Sequence, residues 1–365
     1  LYGIIGNLDL LQTKELPKGV DRLVTAMNNS SALLLKIISD ILDFSKIESE
    51  QLKIEPREFS PKEVMNHITA NYLPLVVRKQ LGMYCFIEPD VPAKLMGDPM
   101  RLQQVISNLL SNAIKFTDIG CIILHLKREG YYLSISIRDT GVGIPAKEVV
   151  RLFDPFFQVG TGVQRNFQGT GLGLAICEKL VNMMDGDIAV DTEPGMGSQF
   201  TLRIPLYGEQ DQTPLMIGGL AAVRCWLTVR NVALSNFIQT LLTYHGMDVR
   251  LYNGEMPEPD DLLITDDEIS QPWAGRAAVV FCRRHIGIPQ EFAPGQWIHS
   301  IVSPHEIMTL LGRIYRVKME TGETAESQSA HEVPEDSNDD MMILVVDDHP
   351  INRRLLADQL GSLGY

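Results

Sequence analysis

Apolar residues recur every three or four positions over the first fifty residues, which is the spacing of one face of an α-helix. The segment 14–19 interrupts this pattern with Pro17 and Gly19 and predicts a turn between two helices. The two helices would form an antiparallel hairpin whose apolar face is too wide to be covered within the hairpin. Either a homodimeric four-helix bundle or packing on the chain's own domain would cover it. The apolar positions are Ile4, Leu8, Leu11, Met27, Leu34, Ile37, Ile41 and Phe44.

Helical and strand patterns alternate from about residue 52 to residue 206. Ser60 followed by Pro61 is typical of a helix N-terminus and predicts a helix that runs to about Lys79. A second helix is predicted from Pro99 to Lys115. Period-two alternation predicts a β-hairpin and two further strands around a glycine turn, so residues 51–206 are expected to form one α/β domain. The predicted strands are 121–128, 132–138, 187–192 and 199–205.

A third region, 215–318, follows a polar linker at 207–214. Its short apolar runs and intervening helical segments predict an α/β fold. The predicted helices are 236–245 and 304–315, and the predicted strands are 225–230, 248–252, 261–265, 277–282 and 297–302. The chain as a whole is therefore predicted to be a multidomain protein of α+β and α/β domains.

The last fifty residues change character twice. Residues 319–340 hold eight acidic residues and no Lys or Arg, a composition that predicts a disordered linker. The apolar run 341–346 then predicts a strand that ends at Asp347 and Asp348. We expect residues 341–365 to be the start of a further domain, since a single βα unit buries too little surface to fold alone.

Four polar or glycine-rich boxes lie in order within the 51–206 region. Asn108, Asn112 and Lys115 share one face of the second predicted helix, because positions i, i+4 and i+7 align on a helix. Any one box is commonly structural, with asparagines as caps, phenylalanines in the core and glycines in turns, but four in this order favour a single ligand site. The boxes are 108–117, 139–143, 153–157 and 169–174.

The boxes hold the groups that bind a magnesium-bound nucleoside triphosphate. Asn112 offers one neutral amide oxygen, which suffices for Mg²⁺ because this ion keeps waters and phosphate oxygens in its shell. Lys115, one turn on, can meet phosphate. Asp139 can accept an exocyclic N–H of a base while Gly141 and Gly143 let the backbone approach it. These groups predict an ATP site.

Glycines also precede the last predicted helix of this region. Gly169, Gly171 and Gly173 lead into a helix that runs to about Met184, so free amides and the positive helix end would face anionic oxygens. The preceding segment, 157–168, is rich in Gln, Gly and Thr. A polar segment of this kind is a candidate lid over the nucleotide.

Composition excludes several classes of partner. The net charge of −14 argues against nucleic acid. The five cysteines are scattered and never form a CxxC pair, so neither a disulfide framework nor a zinc site is indicated. No apolar run approaches the roughly 18 residues of a membrane span, and we expect no membrane contact in this segment. Because the chain opens at Leu1 and ends within a pattern at Tyr365, we expect it to be a piece of a longer protein.

The four boxes resemble the N, G1, F and G2 boxes of sensor histidine kinases, whose catalytic domain has the GHKL fold shared with gyrase and MutL ATPases. The resemblance covers about residues 1–206. It implies a GHKL-type α/β sandwich ATPase domain at 51–206 and dimerisation helices at 1–50. The implied cofactors are ATP and Mg²⁺.

The resemblance also assigns roles to single residues. It implies that Asn112 ligates Mg²⁺ with Asn108 beside it, that Lys115 meets phosphate and that Asp139 reads adenine. Asn108 stands where hydrolytic ATPases of this fold carry a glutamate general base, and asparagine there favours a protein nucleophile over water. The implied catalytic residues are Asn108 and Lys115, and the implied cofactor-binding residues are Asn112, Lys115, Asp139, Gly141, Gly143, Phe153, Phe156, Gly169, Gly171 and Gly173, with Gly195 and Gly197 as a further glycine turn.

Residues 215–318 resemble a receiver domain that has lost its phosphorylation machinery. Asp266 stands where a receiver carries its phosphoacceptor, but no acidic pair follows the first predicted strand and no lysine precedes Ser303. We therefore interpret this region as a binding module in which Asp266 and Asp267 are solvated or capping. Residues 341–365 resemble the start of a true receiver, in which Asp347 and Asp348 would hold Mg²⁺.

The arrangement resembles a hybrid sensor histidine kinase, which passes phosphate from ATP to a histidine, a receiver aspartate, a histidine phosphotransfer protein and a response regulator. None of the eight histidines has the acceptor context, and we expect His67 and His125 to be structural or surface residues. The acceptor histidine is expected before Leu1 and the acceptor aspartate after Tyr365, so the chain should bind ATP without completing the relay. The resemblance further implies a homodimer through 1–50 and a cytoplasmic segment of a protein anchored in the bacterial inner membrane.

Two other hypotheses fit the same boxes. The chain would bind ATP only as a structural ligand if it is a non-catalytic dimeric scaffold. It would remove phosphate more than add it if it is a phosphatase-dominant regulator, because the direction of phosphate flow depends on conformational state rather than on motif.

Overall fold

The computed structural model describes residues 8, 11, 18–159, 170–208, 220, 223–267, 273–281, 290–299 and 304–315. The helices of this described part are α1 (Lys18–Glu48), α2 (Pro61–Arg78), α3 (Pro99–Phe116), α4 (Ala146–Val149), α5 (Gly173–Met183), α6 (Val232–Tyr244) and α7 (Pro304–Tyr315). Its strands are β1 (Arg57–Phe59), β2 (Gly82–Ile87), β3 (Leu95–Gly97), β4 (Cys121–Glu129), β5 (Tyr132–Asp139), β6 (Asp187–Glu193), β7 (Gly197–Pro205), β8 (Arg224–Thr228), β9 (Asp248–Leu251), β10 (Leu262–Thr265), β11 (Ala277–Phe281), β12 (Gln290–Ala293) and β13 (Gln296–His299). The chain divides into two compact units, with α1 in the first and all the other elements in the second.

Helix α1 is the second of the two helices predicted for the first fifty residues. It begins at Lys18, so Lys18 and Gly19, which were predicted to lie in the turn, are helical. A proline directly before the first helical residue is compatible with this start. The helix exposes an apolar set that includes Val20, Leu23, Met27, Leu34, Ile38, Ile41 and Leu42. Of the first predicted helix, only Leu8 and Leu11 belong to the described residues, and both are helical.

The second unit contains a five-stranded sheet with the order β2-β4-β5-β7-β6. Strands β2 and β4 are parallel, and the other neighbours are antiparallel. The β4–β5 and β6–β7 hairpins confirm the strands predicted at 121–138 and 187–205. Strand β2 was not predicted, because all six of its residues are buried and its sequence has no alternation.

Helices α2, α3 and α5 pack on one face of this sheet. The residues of β4 alternate, and Ile122, Leu124 and Leu126 are fully buried against the helices. Caps start two of the helices as predicted: the Ser60 hydroxyl accepts from Glu63 N–H, and the Asp98 carboxylate accepts from two amides of the first turn of α3. The result is the two-layer α/β sandwich that was expected.

The second sheet has the order β12-β13-β11-β10-β8-β9. All of its neighbours are parallel except β12, which pairs antiparallel with β13 and was not predicted. In chain order the parallel strands run 2-1-3-4-5, which is a doubly wound arrangement. Helix α6 begins at Val232 rather than at residue 236, because the Asn231 side chain caps the helix by accepting from Leu234 N–H at 3.0 Å. Helix α7 has the predicted bounds.

The two sheets share one hydrophobic core. Tyr84 and Phe86 of β2 point away from α2 and pack with buried residues of α6 and α7. The rings of Phe86 and Phe237 stack with their centroids 4.5 Å apart and an angle of 21° between the planes. The face of the first sheet that carries no helices of its own is thereby covered at its β2–β4 edge.

Several expectations concern residues outside the described part. They are residues 160–168 of the candidate lid, residues 209–214 of the polar linker, the acidic linker 319–340, the predicted receiver start 341–365 with Asp347 and Asp348, and Gly169. Among the described helices, none combines the length and the apolar character needed to cross a membrane.

Candidate nucleotide site

Helix α3 holds the first box on its half-buried side. Asn108, Asn112 and Lys115 are each partly accessible, whereas Leu109 and Ala113 on the other side of the helix are buried in the core. The Lys115 ammonium group lies 5.0 Å from the centroid of the Phe116 ring. The packing of one face thus fixes which polar side chains the other face presents.

Asp139 lies at the end of β5 and is 6% exposed. Its Oδ1 accepts hydrogen bonds from the backbone N–H groups of Gly141 at 2.8 Å and Ser198 at 3.3 Å. Burial raises the pKa of this carboxyl above its usual value, and the two N–H donors act in the opposite direction. Both bonds use the same oxygen, so the orientation of the carboxylate is fixed.

Close backbone contacts join the loop after β5 to its neighbours. A Cβ atom at Gly141 would overlap the Phe116 carbonyl at the end of α3, and one at Gly143 would overlap the Glu193 carbonyl of β6. Gly143 also has a φ of +66°, which favours glycine. In this way the second box lies against the end of the first.

A further glycine turn closes on Asp139 from the other side. Gly197 has a φ of +97°, and a Cβ there would overlap the Asp139 carbonyl. Gly195, two residues earlier, also has a positive φ of +82° but has open space around it. A side chain at Gly197 would therefore clash with the candidate site, whereas Gly195 contacts it only through its backbone N–H, which donates to the Val142 carbonyl at 2.8 Å.

The third and fourth boxes contact each other. The Phe156 N–H donates to the Gly171 carbonyl at 3.0 Å, and a Cβ on Gly171 would lie 2.7 Å from the Phe156 backbone. Phe153 is half-buried, but Phe156 is 66% exposed and has a φ of +64°. The alternative that these phenylalanines only fill the core therefore does not hold for Phe156.

The fourth box also reaches the first. A Cβ on Gly173 would lie 3.8 Å from Cγ and Oδ1 of the Asn108 side chain. Helix α5 starts at Gly173, so its N-terminal amides lie beside the polar face of α3. The described residues of the four boxes thus lie next to one another.

Other singled-out residues lie elsewhere and have partners. His125 of β4 is 2.8 Å from the Glu88 carboxylate, and His67 of α2 is within 3.4 Å of the Asn71 amide. Asp266 accepts from the backbone N–H of Arg230 at 3.0 Å, and the Arg230 guanidinium pairs with Asp267. The two aspartates are therefore bound to Arg230, a partner that the sequence did not indicate.

Two contributors to the site were missed at the level of sequence. Ser198 fixes Asp139 through its backbone N–H, and the Thr192 hydroxyl accepts from Ile144 N–H at 2.9 Å. Neither residue has a distinctive side chain for such a role, and the one available signal was the position of Ser198 directly after Gly197. Long-range pairing of β5 with β7 brings Ser198 to Asp139.

The donor set of the candidate site suits Mg²⁺ better than a transition metal. Among the described residues there is no group of three or more His, Cys, Asp or Glu side chains that could hold a metal ion. Asn112 offers an amide oxygen, and a hard cation that keeps waters and phosphate oxygens needs few protein ligands.

Three family models match the chain. The His Kinase A (phospho-acceptor) domain matches residues 1–50, the Histidine kinase-, DNA gyrase B-, and HSP90-like ATPase matches residues 97–208, and the RcsC Alpha-Beta-Loop (ABL) matches residues 225–315. With the GHKL-type sandwich and its joined boxes, these matches show that the chain belongs to the sensor histidine kinase family.

Its relatives include the sensor histidine kinase RcsC of Salmonella typhi, which is 76% identical over 365 residues. RcsC of Escherichia coli (strain K12) is 75% identical over the same length, and the sensor protein GacS of Pseudomonas syringae pv. syringae is 40% identical over 61% of this chain and 26% of its own. The chain spans 38% of the length of the two RcsC proteins.

The fold also matches a solved structure. The crystal structure of full-length ShkA in complex with AMPPNP aligns with a TM-score of 0.63 and 22% identity, over 77% of this chain and 61% of that one. At this identity the likeness shows the fold alone.

Proposed function

We propose that the chain is the catalytic part of a hybrid sensor histidine kinase, which binds Mg-ATP and transfers the γ-phosphoryl group to a histidine. The observation that carries the proposal is the joining of the boxes: Gly173 lies against Asn108, and Gly141 lies against the end of α3. Phosphoryl transfer depends mainly on positioning and charge neutralisation, so a site of this kind supplies most of what the reaction needs.

Asp139 is the residue proposed to read adenine. Two backbone N–H groups hold its Oδ1, which leaves Oδ2 to accept the exocyclic N–H of the base. The glycines around it let the neighbouring backbone segments approach Asp139 closely, since a Cβ at Gly141 or Gly197 would overlap atoms at the site.

The polar side of α3 is proposed to bind the phosphates. Asn112 would hold Mg²⁺, which when bound neutralises phosphate charge, and Lys115 would contact the phosphates one turn later. The free amides at the start of α5 would stabilise anionic oxygens. Gly171, whose carbonyl accepts from Phe156 N–H, would place the fourth box beside these groups.

Asn108 is proposed to favour histidine over water as the phosphoryl acceptor. A glutamate at this position would take a proton from water, whereas a neutral amide is a poor general base. The side chain lies next to Gly173, so it faces the same site as the phosphate-binding groups.

The proposed partners follow from the family and from the exposed surfaces. The apolar set exposed on α1 would pair with a second copy of the chain, and we propose a homodimer through residues 1–50. Phosphate would pass to a receiver aspartate, then to a histidine phosphotransfer protein and a response regulator. The chain would be the cytoplasmic segment of a sensor in the bacterial inner membrane.

The 215–318 region is proposed to bind rather than to accept phosphate. Its Asp266 accepts from the Arg230 backbone N–H and its Asp267 pairs with the Arg230 guanidinium, so both carboxylates have partners within the domain. The proposed Mg²⁺ ligands Asp347 and Asp348 belong to the later receiver.

The test joins the chain to an upstream segment that bears the family's acceptor histidine and supplies Mg²⁺ with γ-labelled ATP. The expected result is protein-bound label that is acid-labile and base-stable, as a phosphohistidine is. Asn112→Ala should abolish the label, and Asn71→Ala, which changes an exposed asparagine on α2, should retain it.

Two results would count against the proposal. Tight ATP binding without label would favour the scaffold or the phosphatase hypothesis. Label of equal intensity in wild type and Asn112→Ala would contradict the assignment of Asn112 as the magnesium ligand.

A further inference from the structure

A cavity of about 410 Å³ lies in the ATP-binding domain, away from the four boxes. Leu102 of α3, Leu133 of β5 and Ile204 of β7 form its floor, and all three are buried. None of the box residues described above lines it. Its volume falls in the range of about 300–1,000 Å³ that is typical of small-molecule sites.

The walls of the cavity are apolar and rich in sulfur and rings. Met96, Met183 and Met184 line it together with Phe59 and Tyr207. Thioethers adapt to the shape of a ligand and make favourable contacts with aromatic rings, and ring pairs add to this. The lining therefore favours a ring-containing ligand over a flexible chain.

The Asp98 carboxylate and the backbone of Met96 in the cavity walls already have hydrogen-bond partners. The Asp98 carboxylate accepts from the backbone N–H groups of Glu55, Met100 and Arg101, and the Met96 N–H donates to the Tyr207 carbonyl at 2.8 Å. Asp185 lies at the exposed rim. A cation would lose water without gaining a partner inside, and two nearby carboxylates would repel an anion, so the walls fit an uncharged molecule.

We propose that this cavity is a binding site for a small, uncharged aromatic molecule. It lies at the ends of α3 and α5 that are remote from the boxes. In α3, Leu102 lines the cavity and Asn108 belongs to the first box; in α5, Met183 lines the cavity and Gly173 belongs to the fourth box. The site is separate from the proposed nucleotide site and does not depend on it.

The test uses indole as the probe and the chain labelled with ¹³C at the methyl groups of its 15 methionines. Saturable ring-current shifts are expected at Met96, Met183 and Met184. Met100 and Met196, which are 65% and 68% exposed and do not line the cavity, serve as internal controls and should not shift. Indole-3-acetate, the anionic analogue, should bind more weakly.

Variants separate this site from general hydrophobic binding. Met183→Trp should weaken indole binding by about tenfold because it fills part of the cavity, and Met100→Trp should leave it unchanged. The proposal is overturned if no signal saturates up to the solubility limit of indole, if Met100 and Met196 shift as much as the cavity methionines, or if both variants bind equally. Methyl spectra of the variants report whether they are folded.

Discussion

At the scale of single residues, Asp139 shows how strictly the site is built. Its Oδ1 accepts hydrogen bonds from two backbone N–H groups, and its Oδ2 is proposed to accept one from adenine. An amide in place of the carboxylate has only one oxygen and cannot accept at both positions. An asparagine would place its NH₂ group either against those donors or against the exocyclic amine of adenine. The residue type is thus fixed by the protein and by the proposed base together.

We expect Asp139→Asn to weaken ATP binding by about 10- to 100-fold, because a hydrogen bond to a charged group contributes about 1.5–3 kcal/mol. Titration calorimetry with Mg-ATP measures this change. Asp187→Asn, on β6 of the same sheet at an exposed ion pair with Arg203 of β7, is the matched control and should bind like wild type. Equal affinities in all three proteins would contradict the assignment of Asp139.

The raised pKa of Asp139 predicts an acid-sensitive site. Because burial moves this pKa above its ordinary value, the carboxylate becomes protonated at a higher pH than an exposed aspartate would. The affinity for ATP should fall as the pH falls toward that pKa. The ratio of wild-type to Asp139→Asn affinity cancels titration of the phosphates, and we expect this ratio to decrease as the pH is lowered from neutral. A constant ratio would contradict the prediction.

At the scale of elements, the β6–β7 turn offers a matched pair of glycines. Gly195 and Gly197 both have positive φ, but only a side chain at Gly197 would overlap the Asp139 carbonyl. The strain of a left-handed conformation is therefore common to both positions, whereas steric overlap of a side chain with the candidate site occurs only at Gly197. Substitutions at the two glycines therefore separate the free energy lost through strain in the turn from the free energy lost through disturbance of the site.

We expect Gly195→Ala to lower the free energy of unfolding by about 1–2 kcal/mol, which is the cost of the left-handed region. Gly197→Ala should lower it by about 1–3 kcal/mol more, since the methyl group also forces the backbone apart, and it alone should weaken ATP binding. Urea denaturation and nucleotide titration measure the two effects. Equal losses in both variants would show that the turn does not support the site.

The elements also show what a sequence can reveal about such a chain. Helix α3, the hairpins β4–β5 and β6–β7 and the four boxes were predictable because caps, alternation and motif residues are local signals. Strand β2 was missed because a strand buried on both faces has no alternation, and the start of α6 was missed because the cap at Asn231 was overlooked. The role of Ser198 depends on long-range strand pairing, which no local pattern encodes.

At the scale of the whole molecule, the two sheets of the second unit are not independent bodies. Phe86 of β2 stacks on Phe237 of α6, and the residues around them form one buried cluster. Cys121 of β4 packs against this cluster, and its N–H donates to the Thr140 hydroxyl at 3.0 Å, next to Asp139. The region after residue 215 is therefore structurally continuous with the candidate nucleotide site.

A double-mutant cycle tests this continuity. Phe86→Ala and Phe237→Ala should each lower the free energy of unfolding by about 3–5 kcal/mol, and their effects should be coupled by about 0.5–1.5 kcal/mol beyond additivity. Urea denaturation followed by circular dichroism gives the four values of the cycle. Phe292→Ala, at an exposed ring on β12, should cost little and should not couple to Phe86→Ala. Strict additivity of the first pair would contradict the shared core.

The central claim is that the four boxes form a single Mg-ATP site, and calorimetric titration of the chain with ATP in the presence of Mg²⁺ tests it most directly. The account predicts one saturable site per chain, weakened about tenfold or more in Asn112→Ala, which corresponds to at least about 1.4 kcal/mol, and unchanged in Asn71→Ala. Absence of saturable binding, or binding that both variants retain equally, would contradict it.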